Sequence, residues 1–262
     1  MSFFNDLQRL ATTDQAARRN ELLVLLREMD CPFHLFRESL ADWRPENIVI
    51  RFQEEAPQRF VVGAHYDSVA GSTGANDNGA GVCVLLAWLR SALHDPPRFP
   101  LDVVFFDLEE QGQIGSRAYL ERFASEDILV MINLDICGVG DTLLLAPSLE
   151  LKQSTLCHSL LAVPPLGLRS SRLVEALPSG DDLPFAYRGV PTLSVSMLPS
   201  EEIELLEEAV TAWRQGHVPA TMPKIAETFH NGSRDSIETI EVSAMQKVLL
   251  GLESILKQIE NP

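Results

Sequence analysis

The chain has 262 residues, 45% of them hydrophobic and 22% charged. That balance is ordinary for a globular protein, and the length can bury a large core without disulfide or metal staples. With 21 Lys and Arg against 37 Asp and Glu, the formal net charge is −16, which argues against binding nucleic acid or an anionic membrane, since both want a basic face.

The opening "MSFFNDLQRLATTDQ" holds no apolar core of signal-peptide length. "TTDQAARRNELLVLLREMDC" reads as an amphipathic helix with Thr12 and Gln15 in capping-box positions. "PFHLFRE", "ENIVIRF" and "RFVVGAH" read as strands, hairpin-connected at the start. "GVCVLLAWLRSAL" is apolar nearly all round and predicts a buried helix. "LDVVFFDLEE" and "ILVMINLDICG" are continuous apolar strands, with the helix "SRAYLERFA" between them. "TLLLAPSLELKQSTLCHSLLAV" predicts a strand and then a helix, and "VPTLSVSML" a further strand. "SEEIELLEEAVTAWRQG" puts Ile203, Leu206, Ala209, Val210 and Trp213 on one face of an acidic helix, and "VSAMQKVLLGLESILKQIE" closes the chain. The helix around Trp213 is read as a surface helix packed on the domain, with a rim element or subunit contact as the sharper alternative.

Nearly continuous apolar strands alternating with helices predict an α/β fold, with a mixed, mostly parallel central β-sheet covered by helices on both faces. No repeat or linker divides the chain, so residues 1–262 are read as one domain. No apolar run approaches the roughly 20 residues of a membrane span. Cys31, Cys83, Cys137 and Cys157 are scattered, with no CxxC pair. The expected setting is therefore cytoplasmic, with small buried thiols and no membrane partner.

Chemistry gathers at the strand ends. "VVGAH" ends on His65, with Asp67 and Asp77 following. "VVFFD" runs into Glu109 and Glu110, "MINLD" ends on Asp135, and "ETFHNGSRD" supplies His230. In a parallel sheet, ligands bind outside the carboxyl ends of the strands, so these groups should share one crevice. So many anions repel unless cations sit among them. A His/Asp/Glu set without thiolate fits zinc, and also manganese or cobalt. Three carboxylates and a hydroxide balance two divalent ions. No GxSxG, HExxH or Gly-Lys-Ser/Thr motif supports other chemistry.

"GAHYDS…GANDNGAG", "VVFFDLEEQGQIGSRAYL", "INLD" and the late His segment resemble the co-catalytic zinc aminopeptidases of the bacterial leucyl-aminopeptidase type, relatives of the glutaminyl cyclases. The resemblance runs from about residue 15 to 258. It implies the zinc-dependent exopeptidase fold and two divalent metal ions, most simply zinc. It places His65 and Asp135 on one ion, Glu110 and His230 on the other, and Asp77 between them. Glu109 would be the general base, taking a proton from the metal-activated water. Asp67 would accept a hydrogen bond from the far side of His65, and Asp181 would sit behind the site or on its substrate side. The bond Asp77–Asn78 is expected to be cis. The implied activity removes N-terminal residues from peptides with a free N-terminus. A glutaminyl cyclase with one zinc is the alternative enzyme, and a non-catalytic binding scaffold the alternative outside catalysis.

Three features depart from the family pattern. "HNGSRD" has one residue more than His-Thr-x-x-Asp, which leaves the role of Asp235 open, with His217 the rival ligand to His230. Asp182 stands where the family carries His. No protease-associated domain fits in this length.

Overall fold

The computed structural model describes residues 3–155, 171–228 and 235–260. Eight strands lie among them: β1 (His34–Arg37), β2 (Glu46–Phe52), β3 (Arg59–His65), β4 (Leu101–Phe106), β5 (Ile128–Leu134), β6 (Thr142–Pro147), β7 (Ser171–Leu173) and β8 (Thr192–Leu198). They form one sheet in the order β1-β2-β4-β3-β5-β8-β6-β7. β4, β3, β5 and β8 run parallel at its centre. β6 and β7 are also parallel, while β1–β2, β2–β4 and β6–β8 are antiparallel. The mixed, mostly parallel α/β sheet expected from the sequence is what is found.

The described helices are α1 (Phe3–Leu10), α2 (Gln15–Glu28), α3 (Ala80–Ala92), α4 (Ile114–Arg122), α5 (Leu149–Gln153), α6 (Asp182–Tyr187), α7 (Ile203–Arg214) and α8 (Val242–Glu260). Strand side chains alternate between the two faces. Ile48, Ile50, Val62, Ala64, Val103, Phe105, Val130 and Ile132 join the leucines of α1, α2, α3 and α8 in one core. The intervening Val49, Val61, Val104, Phe106 and Met131 pack with Tyr119 and Leu120 of α4 and Phe185 of α6. Under the far end of the sheet, Leu144, Ala146 and Leu198 meet Ile203, Leu206 and Val210 of α7. Each such side chain contributes about 1.5–3 kcal/mol when fully buried. Two covered faces explain why the central strands read as unbroken apolar runs.

Several local expectations need correction. The cap of α2 is Asp14, whose carboxylate accepts from Ala17 N at 3.0 Å; Thr12 Oγ1 instead accepts from Asp14 N. Asp is at least as good a cap as Thr, and it wins here by sitting next to the helix. Residues 3–10 form a helix that the sequence reading left unassigned, buried on Phe3, Leu7 and Leu10. β1 and β2 pair antiparallel, as expected at the start of the strands, while β4 inserts between β2 and β3. Among the described residues, no helix is long and apolar enough to cross a membrane.

Candidate metal centre

The three central strands β4, β3 and β5 end side by side. His65 is the last residue of β3, Asp135 follows β5, and Glu109–Gln111 form a single 3-10 turn beyond β4. The chain must break sharply from the strands to aim these groups across the sheet edge. Leu108 (φ 54°) precedes the acid pair, Gln113 (φ 57°) follows it, and Ile136 (φ 54°) follows Asp135. Left-handed backbone is unfavourable for such residues, above all for a β-branched one, and costs about 1–3 kcal/mol at each. Glu109 and Glu110 thus lie on a 3-10 turn and not on the strand itself.

His65 is 1% exposed. Its Nε2 lies 3.2 Å from Asp77 Oδ1 and 3.6 Å from Asp135 Oδ1. Neither His65 Nε2 nor Asp135 Oδ1 has a hydrogen-bond partner among the described residues. Ligand atoms about 2.0–2.2 Å from a zinc ion at tetrahedral angles stand about 3.3–3.6 Å apart. The donor set and its spacing thus fit a small divalent cation. A second grouping places ligand atoms of His65, Glu109 and Glu110 within 4.8 Å of one another.

Electrostatics mark the same spot. Burial pushes the Asp77 carboxyl up to about 7; His65 lowers it, and Asp135 and Glu110 raise it. Burial raises Glu109 well above the ordinary glutamate range; His65 counters this, and Asp181 and Asp135 add to it. Burial works against charging His65, yet Asp135, Asp67 and Asp77 outweigh it and hold its pKa well above the ordinary value. Asp181 is wholly buried and pushed up to about 8 by burial. Neither of its carboxylate oxygens has a hydrogen-bond partner among the described residues; the nearby Ser116 hydroxyl donates to Gln113 O instead. Asp182 accepts from Ser194 Oγ at 2.8 Å. The backbone at Gly180 comes so close that a Cβ there would stand 2.6 Å from Asn133 Nδ2 and 3.3 Å from Asp135 Oδ2.

Supporting contacts surround the acids. Asp67 Oδ1 accepts from Glu109 N at 3.0 Å and Oδ2 from Glu110 N at 3.2 Å. Its carboxylate thus holds the acid pair, while the nearest oxygen to His65 Nδ1 is the Asp67 carbonyl at 3.1 Å, against 3.4 Å to Oδ1. The Asp77–Asn78 bond is cis, as expected. The sequence reading missed four positions. Gln113 Nε2 donates to Glu109 Oε1 at 2.9 Å. Asn78 Nδ2 donates to Leu134 O at 2.7 Å, and Asn76 Oδ1 accepts from Gly138 N at 2.7 Å. Ser196 Oγ donates to Asp135 O at 2.6 Å. The two asparagines flanking Asp77 in "NDN" carried the only sequence signal for these. Asp235, whose role was open, accepts from Asn76 N at 2.8 Å. His230 lies outside the described residues. His217 is exposed and belongs to neither ligand grouping among them.

A cavity of about 690 Å³ opens on Glu109 and Glu110. Its walls include Leu177, Val210, Trp213, Met222 and Arg214. The helix carrying Trp213 packs on the domain through Ile203, Leu206 and Val210, and its Val210, Trp213 and Arg214 line this cavity.

The profile of peptidase family M28 matches residues 47–253. The chain belongs to this family. A 100-residue stretch is 35% identical to aminopeptidase YwaD of Bacillus subtilis, covering 37% of this chain and 21% of that protein. The match thus spans about a fifth of that relative's length. The glutaminyl cyclase of Porphyromonas gingivalis superposes with a TM-score of 0.70 at 20% identity, covering 98% of this chain and 97% of that one. BSAP, a zinc aminopeptidase from Bacillus subtilis, superposes at 0.64 with 24% identity over 82% of this chain and 50% of that one. At these identities the two superpositions show a shared M28-type fold.

Proposed function

We propose that this M28 chain is a metal-dependent aminopeptidase, cleaving N-terminal residues from peptides with two divalent ions, most simply zinc. The observation that carries the reading is the convergence of unpartnered His65 Nε2 and Asp135 Oδ1 on Asp77, beside the acid pair. His65, Asp77 and Asp135 would hold one ion. Glu110 and His230 would hold the other, with Asp77 shared. Bound ions acidify a water and polarise the scissile carbonyl.

The chain's own groups do the rest. Glu109, its carboxyl raised above the ordinary glutamate range by burial, would take a proton from the attacking water and deliver it to the leaving amine. Gln113 fixes one Glu109 oxygen, leaving the other for that work. Asp67 holds the backbone of both acids. Asp181, which interacts through space with Asp135, would limit which charges the site can carry at once. The cavity beside Glu109 supplies apolar surface for a large side chain of the substrate, with Trp213 and Met222 as walls.

A panel of aminoacyl-amide reporters, offered to the zinc-loaded protein together with an ion count, tests this reading. Hydrolysis with two ions bound supports it. One ion and cyclisation of N-terminal Gln supports the cyclase, and absence of ions and turnover supports a scaffold.

A further inference from the structure

We propose that helix α2 is a positioning element of the metal centre: Arg18 and Gln15, three residues apart, clamp the loop from Tyr66 to Gly74 so that Asp67 and Asp77 stand ready before a cation binds. This rests on the reading of the metal centre above. Both residues precede residue 47, where the family match begins.

Arg18 is 1% exposed although it is the longest cation a helix can carry. Its Nη1 lies 3.4 Å from Tyr66 O, and its Nη2 donates to Thr73 O. One guanidinium therefore bridges the start of the loop, next to His65, and the point where it turns toward Asp77. The loop lies flat on this plane: Gly74 has φ 55°, and a Cβ there would stand 2.5 Å from Arg18 Nη2. Only glycine meets both demands. Gln15 grips the loop between these points. Its Nε2 donates to Ser68 O at 3.0 Å and Ser68 Oγ at 2.7 Å, and its Oε1 accepts from Ser68 N at 3.2 Å. Residues i and i+3 of a helix share a face, so one side of α2 presents both groups. From the opposite side, Asp235 accepts from Ser72 Oγ and Asn76 N, and its carbonyl from Thr73 Oγ1 at 2.9 Å.

Charge points the same way. Among the described residues, no carboxylate stands within ion-pair distance of Arg18. Burial disfavours its positive charge, and Asp235, Asp67 and Asp77 oppose this through space without outweighing it. A buried arginine is a poor choice for packing alone, since an apolar residue of like volume often serves as well or better. The same face of α2 buries Leu22, Leu25 and Leu26 in the turns that follow. An arginine that bonds carbonyls and offsets the site's own acids reduces their mutual repulsion and fixes their backbone.

The test compares the parent protein with Arg18→Lys, Arg18→Gln and Gln15→Ala. Each is titrated with zinc against a chromophoric chelator, and amide exchange across residues 66–77 is followed in the metal-free state. Arg18→Gln should bind zinc about 10- to 100-fold more weakly, the usual effect of removing a group that orients metal ligands. Arg18→Lys should recover part of that loss, and Gln15→Ala should show a smaller loss in the same direction. Exchange should quicken in the loop and not in the sheet. Should Arg18→Gln fail to fold, Gln15→Ala and Arg18→Lys decide the matter. If these two, with the parent's melting temperature, bind zinc as tightly as the parent, the clamp is overturned. If the parent itself binds no zinc, the metal-centre reading falls and takes the clamp with it.

Discussion

Strand β4 has buried acids at both ends, and they live differently. Asp102, near its start, is 0% exposed and fully engaged. Its Oδ1 accepts from Arg51 and Arg59, and its Oδ2 accepts from Tyr119 OH at 2.6 Å. Beyond the other end, Glu109 enters a cluster in which Asp181 and Asp135 leave oxygens without hydrogen bonds. A folded chain completes buried acids that serve structure. Unfinished acids grouped around a single imidazole are what a site for cations requires. Burial alone therefore does not mark function; incomplete partnering does.

The contrast breaks most visibly in rate. Glu109→Gln should lower kcat/KM by about 100- to 10,000-fold while leaving zinc content and melting temperature near those of the parent. Asp102→Ala should do the reverse. It strands the buried Arg59 guanidinium, which should cost about 3–5 kcal/mol of stability with zinc affinity of the folded protein unchanged. Chemical denaturation beside the zinc titration measures both. An Asp102 variant that loses zinc at full stability would erase the distinction.

A smaller effect is expected at the cavity wall. Trp213→Ala should raise KM roughly tenfold for reporters with a large apolar N-terminal residue, relative to alanyl reporters. Equal changes for both would remove Trp213 from the specificity surface.

The mildest prediction concerns pH. Asp77 and Asp181 have folded pKa values of about 7 and about 8, raised above the unfolded value near 4. The folded state therefore binds protons more tightly than the unfolded one. The stabilising contribution is complete below about pH 4 and is lost as pH rises through 7 and 8. The metal-free protein should lose stability across that window. Zinc, which needs Asp77 ionised, should raise the melting temperature more at pH 8.5 than at pH 6. Melting curves at the two pH values, with and without zinc, check the sign.

The sequence alone was enough to expect His65, Asp77, Glu109, Glu110 and Asp135 near one sheet edge, because apolar period is a local property and parallel strands end together. Its apolar runs also foretold the α/β sheet and both long terminal-half helices, α7 and α8. Three matters were decided only in three dimensions. Arg18 looked like one more charge in "AARRNELL", yet it lies beneath a loop some 50 residues away, and no periodicity reports which loop settles on a helix. Asp67 stays 3.4 Å from His65 Nδ1 and also takes the Glu109 and Glu110 amides, because a 3-10 turn, invisible in the apolar pattern, brought those N–H groups to it. Trp213 became a wall of the cavity because α7 packs under the far end of the sheet, a consequence of the strand order β8-β6-β7. Local sequence sets which atoms are available; long-range packing chooses their partners.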